Sequence, residues 1–185
     1  MDHTVAPAAG ALRRLVLPLL LCCALLVGAT GCGGSDDDAA VPTGTSSAAR
    51  QKFAKTRFVT NAGLAAGATY QWIVKPYRDG KFASGADGRT FALVKAGLAG
   101  AFTYNRLKAA LRNAQGDPTL AKAVAPLTAG VEALKDLPAK LRKGDSTQSV
   151  VKSFDDTINS VKDAGRSAGA EVTDKVPSTA DLKRG

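Results

Sequence analysis

From residue 50 onward, apolar positions recur at intervals of three and four and show no convincing one-by-one alternation, so the chain reads as helix rather than strand. Helical spacing sets in four times. The first helix is expected over residues 51–75, stopping near Pro76, and its stretch 58–74 carries no charge. The second opens between Asp87 and Thr90, runs through Leu111 and ends at Gly116. Asp117 and Pro118 then read as the N-cap and first residue of the next helix. In the third region Leu120, Val124, Leu127, Val131, Leu134 and Leu141 form a ladder whose missing rung is Pro138, so Pro126 and Pro138 are expected to kink or split it. Gly144 closes that region and Asp145 or Ser146 caps the fourth helix, where Val151, Phe154, Ile158, Val161, Ala168 and Val172 repeat the spacing. Residues 173–185 read as a polar tail.

Short connections make neighbouring helices antiparallel. The expectation is therefore an all-α fold: an antiparallel four-helix bundle of two helical hairpins, its third helix kinked or split by prolines. The first two helices are apolar around most of their circumference, which demands burial on several sides, whereas the later two carry one apolar stripe each. Nine of the ten aromatic residues, all but Phe154, precede residue 105. Ala62-Gly63-Leu64-Ala65 and Thr69-Tyr70 recur 34 positions later as Ala96-Gly97-Leu98-Ala99 and Thr103-Tyr104. Two related helices packed face to face are expected, with Gly63, Gly67, Gly97 and Gly100 admitting close approach. Gly63 and Gly67 also match the spacing of a membrane-helix dimer motif, but Asn61, Thr69 and Gln71 dilute the stretch, which favours packing within a domain.

The segment before the helices has another character. Arg13 and Arg14 precede an uncharged run over residues 15–27, followed by the small residues Gly28 to Gly31. This is the form of a signal peptide over residues 1–31, and the run is shorter than the roughly 20 residues a membrane span needs. Ala29-Thr30-Gly31-Cys32 resembles the lipobox of bacterial lipoprotein precursors. The resemblance implies a diacylglyceryl group on the Cys32 thiol, cleavage just before it, acylation of the palmitate kind, and a mature protein anchored on the extracytoplasmic face of the cell membrane. A plain secreted protein cut after the small residues is the alternative; it leaves Cys32 as a lone thiol in an oxidising compartment. Residues 32–50, rich in Gly, Ser, Thr and Ala, read as the lipidated cysteine and a tether with a root-mean-square span of roughly 20–25 Å. Residues 51–172 are the helical domain.

Composition narrows the chemistry further. The chain has 185 residues, 45% of them hydrophobic and 22% charged, which suffices for one folded domain. His3 is the single histidine, and Cys22, Cys23 and Cys32 all precede residue 33, so the mature domain has no histidine triad, no His/Cys metal cluster and no Cys/His pair. Glu132 and Glu171 are the only glutamates, and Asp155 and Asp156, being adjacent, point to different sides of a helix. Gly97 and Gly100 follow no strand, which removes a nucleotide loop, and Ser84 near Lys81 is a chance-level spacing. No cofactor, no metal and no enzymatic activity are expected.

Charge points to a surface role. The chain carries 25 Lys and Arg against 16 Asp and Glu, a net charge of +9. Between Arg50 and Arg112 twelve cations face only Asp79 and Asp87, whereas the remainder is nearly balanced. One end of the first hairpin gathers Arg50, Lys52, Lys55, Arg57, Arg106, Lys108 and Arg112, a candidate site for an anionic lipid surface, a wall polymer or another envelope protein. The other end offers a loop with Lys75, Tyr77, Arg78, Lys81, Phe82 and Arg89, whose cations and aromatics suit phosphate or acidic sugar. Two further classes are weighed: a bundle holding a small apolar ligand in a cavity lined by Leu64, Tyr70, Leu98 and Phe102, and a polyanion binder whose affinity falls steeply with salt. Nucleic acid is the less favoured partner.

Overall fold

Ser46 opens the first helix: its side chain accepts from the Ala49 N–H at 3.2 Å, satisfying one of the donors a helix start leaves free. The computed structural model describes residues 46–184. The leader, the lipobox with Cys32 and the tether as far as residue 45 lie outside the described residues. Helix α1 (Ser47–Thr69) passes into a π-helical segment (Tyr70–Val74) and a short α2 (Lys75–Arg78). After a loop comes α3 (Arg89–Ala114), entered through Gly88 at φ 69°, a left-handed conformation that glycine adopts without a Cβ penalty. Then follow α4 (Pro118–Val124), a 3₁₀ turn (Ala125–Leu127), α5 (Thr128–Ala133), α6 (Leu137–Lys143), α7 (Thr147–Ser167) and α8 (Thr179–Arg184). Among the described residues the fold is all-α, with no strand.

The first helix does not stop at Pro76. In an α-helix proline lacks the donor owed to the carbonyl four residues back and clashes with it. Here the π turn pairs the Lys75 N–H with the carbonyl of Tyr70, five residues back, and places Pro76 in the first turn of α2, where proline is best tolerated. In the third region Pro126 sits in the 3₁₀ turn and Pro138 opens α6, so the apolar ladder is folded as three short helices. Asp117 is the N-cap read from the sequence; its carboxylate accepts from the Leu120 N–H at 2.8 Å.

Helices α1 and α3 run antiparallel: Ala54 lies against Gly116, Asn61 meets Arg106, and Thr69 meets Thr103. Their facing turns are small, with Ala62, Ala65, Ala66, Ala96, Ala99 and Ala110 buried. The repeated threonines close the seam, their hydroxyls 3.1 Å apart, and the Thr103 hydroxyl also reaches the carbonyl of Ala65 at 3.4 Å. The repeated tyrosines do not bracket the contact, since Tyr70 is half exposed and the Tyr104 hydroxyl turns outward to Glu132.

The four glycines play a different part from the one the sequence suggests. A methyl on Gly63 or Gly67 would strike the backbone of Thr173 and Lys175, while Gly97 and Gly100 make room for Pro138, Arg142 and Phe154. They thin the outer faces of the two helices so that other elements can dock there. The reading of residues 173–185 as a polar tail is corrected on the same ground. The run after α7, outside any helix, lies in the notch of Gly63 and Gly67, the Lys175 N–H donates to the Gly63 carbonyl at 2.8 Å, and Pro177 and Leu182 are buried. A segment outside any helix offers no apolar periodicity, so nothing in the pattern announced it.

These glycine and threonine roles have measurable consequences. Gly67→Ala should destabilise by about 1–3 kcal/mol through overpacking and expose residues 173–184 to limited proteolysis. Gly130→Ala, in α5 with open space around it, should be neutral or stabilise by up to about 1 kcal/mol in the same denaturant titration. In the threonine pair, Thr103→Val strands the buried Thr69 hydroxyl and should cost about 1–3 kcal/mol. Adding Thr69→Val should cost nothing more, so a double-mutant cycle shows a coupling where independent effects would add.

Candidate functional site

Antiparallel packing brings the start of α1 and the end of α3 together, and there the basic residues named from the sequence divide into two groups. Arg50, Arg57 and Arg112 line one groove of about 420 Å³ with Phe53, Ala54, Asn113 and Gly116, and no carboxylate is among its lining residues. Phe53 is 60% exposed beside them, an aromatic ring held out on a cationic surface. Arg50 also donates to the Ser47 hydroxyl at 3.2 Å, and Lys52 is exposed on the same end of α1.

Lys55, Arg106 and Lys108 are turned to other partners. The Lys55 ammonium donates to the Ala168 carbonyl at 2.8 Å and lies 3.8 Å from the buried Asp117 carboxylate, tying α1 to the end of α7 and to the start of α4. The Arg106 guanidinium sits 4.9 Å over the Phe102 ring and reaches Asn61 at 3.5 Å, with its Nε buried and unpartnered. Lys108 pairs with Glu132 at 3.2 Å, which raises the ammonium above its ordinary pKa through that hydrogen bond. Glu132 is held below the usual carboxylate range, first by the Tyr104 hydroxyl at 2.9 Å and then by Lys108. These groups are exposed and the pairing is worth little to stability.

The loop residues are likewise mostly committed to the fold. Phe82 is buried, its ring centroid 6.3 Å from that of Tyr77, and its carbonyl accepts from the Arg89 Nε at 3.0 Å. Arg78 lies 4.0 Å from Asp155, and Lys75 binds Asp79 at 2.6 Å, a hydrogen bond that raises the lysine above its ordinary value. Lys75 and Lys81 line a hollow of about 360 Å³ together with Trp72, Asp79, Asp87, Phe91 and Lys95. Trp72, Phe91 and Lys95 were not singled out from the sequence. The Lys95 ammonium rests 4.6 Å from the Trp72 ring and 4.5 Å from that of Phe91. The four-residue step from Phe91 to Lys95 on an expected helix was the available signal.

The apolar set does not close around one cavity: Phe102 is buried in the core, Tyr70 is half exposed, and Leu64 and Leu98 are half-buried. Among the described residues no three His, Cys, Asp or Glu side chains gather as a metal site, and no helix is long and apolar enough to cross a membrane. Compared with protein families, curated proteins and solved structures, the chain matches none of them.

The division among the cations can be measured. Lys55→Ala leaves Asp117 buried without its cation and should lower stability by about 1–3 kcal/mol in denaturant unfolding. Lys52→Ala, at an exposed position, should stay within about 0.5 kcal/mol of the parent.

Proposed function

We propose that the protein is an extracytoplasmic lipoprotein, held to a membrane through Cys32, whose non-enzymatic helical domain lays its basic end on an anionic surface. The domain is read as a four-helix bundle in which α1, α3 and α7 are three members and the broken run α4 to α6 is the fourth. What supports this is the contact of α6 with α3 and of α7 with both α1 and α4.

The observation that carries the functional reading is the groove of Arg50, Arg57 and Arg112 around the exposed Phe53. Guanidinium groups match phosphate oxygens in bidentate geometry, and an aromatic ring among them suits the headgroup region. With Lys52, four cations contribute on the order of 1 kcal/mol each against an anionic surface. A multi-chain lipid anchor holds far more firmly, so these residues orient the domain rather than retain it. The thirteen residues between Cys32 and Ser46 would span about 20 Å as a coil, which would deliver this end of α1 to the surface first. A wall polymer rich in phosphate presents the same chemistry and is the second anionic candidate.

Vesicle sedimentation tests the proposal, using the chain from residue 32 with Cys32→Ser to remove the anchor. Binding to vesicles containing phosphatidylglycerol is expected, with little binding to phosphatidylcholine alone, and Arg57→Glu with Arg112→Glu should weaken it at least tenfold. Equal, negligible binding to both vesicle types contradicts an anionic-surface role. Intact mass spectrometry of the cell-derived protein should show a diacylated product beginning at Cys32; an unmodified N-terminus contradicts the anchor.

A further inference from the structure

A second groove lies away from the basic end, between α3 and α8. Phe91, Val94 and Leu98 fall at i, i+3 and i+7 on α3 and so share one face. Leu182 of α8 forms part of the opposite wall, and Thr179, Lys95 and Lys183 complete the lining of a trench of about 360 Å³. That is the lower end of the range for small-molecule sites. Phe91 is 68% and Val94 43% exposed, in a domain whose other large apolar side chains are mostly buried. Such a patch commonly marks a ligand or partner.

The rim identifies the kind of ligand. No carboxylate lines the trench itself, and the Lys95 ammonium, which also borders the hollow holding Asp79 and Asp87, rests on the Trp72 and Phe91 rings and not in an ion pair. A cation held only by ring faces at a half-exposed position can swing to an incoming anion at small cost. Lys183 is exposed at the other wall. A second copy of this chain is disfavoured as occupant, because it would bring the same lysines against these.

We propose that the groove between α3 and α8 binds a single alkyl chain with an anionic headgroup, of the class of a free fatty carboxylate. The chain lies along Phe91, Val94, Leu98 and Leu182, and the headgroup takes Lys95 and Lys183. This site is independent of the arginine groove, and Arg57→Glu leaves it intact.

The test is calorimetric titration of the chain from residue 32, with Cys32→Ser, by laurate below its micelle concentration. Trp72, the single tryptophan, serves as a second reporter because Lys95 leaves its ring on binding. Saturable one-to-one binding is expected together with a shift in Trp72 emission. Dodecyltrimethylammonium, with the same chain and opposite charge, should bind at least tenfold more weakly. Lys95→Gln with Lys183→Gln should weaken laurate at least tenfold, and Leu98→Asp should abolish binding; the more exposed Val94→Asp replaces it if circular dichroism shows Leu98→Asp unfolded. Equal binding of the two surfactants, an unchanged affinity in the double lysine variant, or no saturable heat with the folded protein overturns the proposal. So does sedimentation showing a dimer that Val94→Asp dissociates, which would make a second copy the occupant of this face.

Discussion

Side chains no larger than leucine meet at most of the turns where α1 and α3 face one another, and the middle of that seam is alanine and threonine. In the register set by the Thr69–Thr103 pair, Phe58 falls level with Ala114, Ala62 with Ala110 and Ile73 with Ala99. Large opposes small, so two helices with little polar surface can lie close without leaving voids. The seam also explains why neither helix carries a single stripe. Each is buried on the seam side by its partner and again on its outer side, where Gly63 and Gly67 receive the backbone of residues 173–176 and Gly97 and Gly100 receive α6 and Phe154.

This centre decides where the cations go. Antiparallel register puts Arg57 and Arg112 in one groove although they are 55 positions apart in sequence. The nearly neutral second half of the chain then supplies acids to part of the basic first half: Asp117 to Lys55, Glu132 to Lys108, Asp155 to Arg78. Beside these pairs lie an arginine groove at the start of α1 and a lysine-rimmed trench beside α8, two surfaces of the same sign with different lining. We have proposed the first for a broad anionic surface and the second for one alkyl chain with a charged end.

Much of the helix pattern was legible because amphipathic period and capping chemistry act locally. Asp117 caps where the Asp-Pro pair says it should, and Val151, Phe154, Ile158 and Val161 are buried as their spacing requires, whereas the first helix starts at Ser47, inside the stretch expected to be tether. The docked chain after Val172 was not legible, since its hold on α1 is a backbone hydrogen bond and a pair of absent Cβ atoms, neither of which has a sequence period. The basic cluster was legible as a cluster but not in its membership. Which lysine reaches a carbonyl such as Ala168, and which arginine lies on a ring such as Phe102, depends on elements more than forty residues away or on rotamers that spacing does not fix. The Phe91–Lys95 step within α3 was legible, but the part of Trp72 was not, because the approach of the π-helical segment to α3 creates its contact with Lys95.

If the small-residue seam is the centre on which the other elements are mounted, its amides should be the last to exchange. Native-state hydrogen exchange of the chain from residue 32 is predicted to show residues 62–69 and 96–103 opening only with global unfolding, and residues 118–143 opening at lower free energy. Exchange at the seam as fast as in residues 118–143 would contradict it.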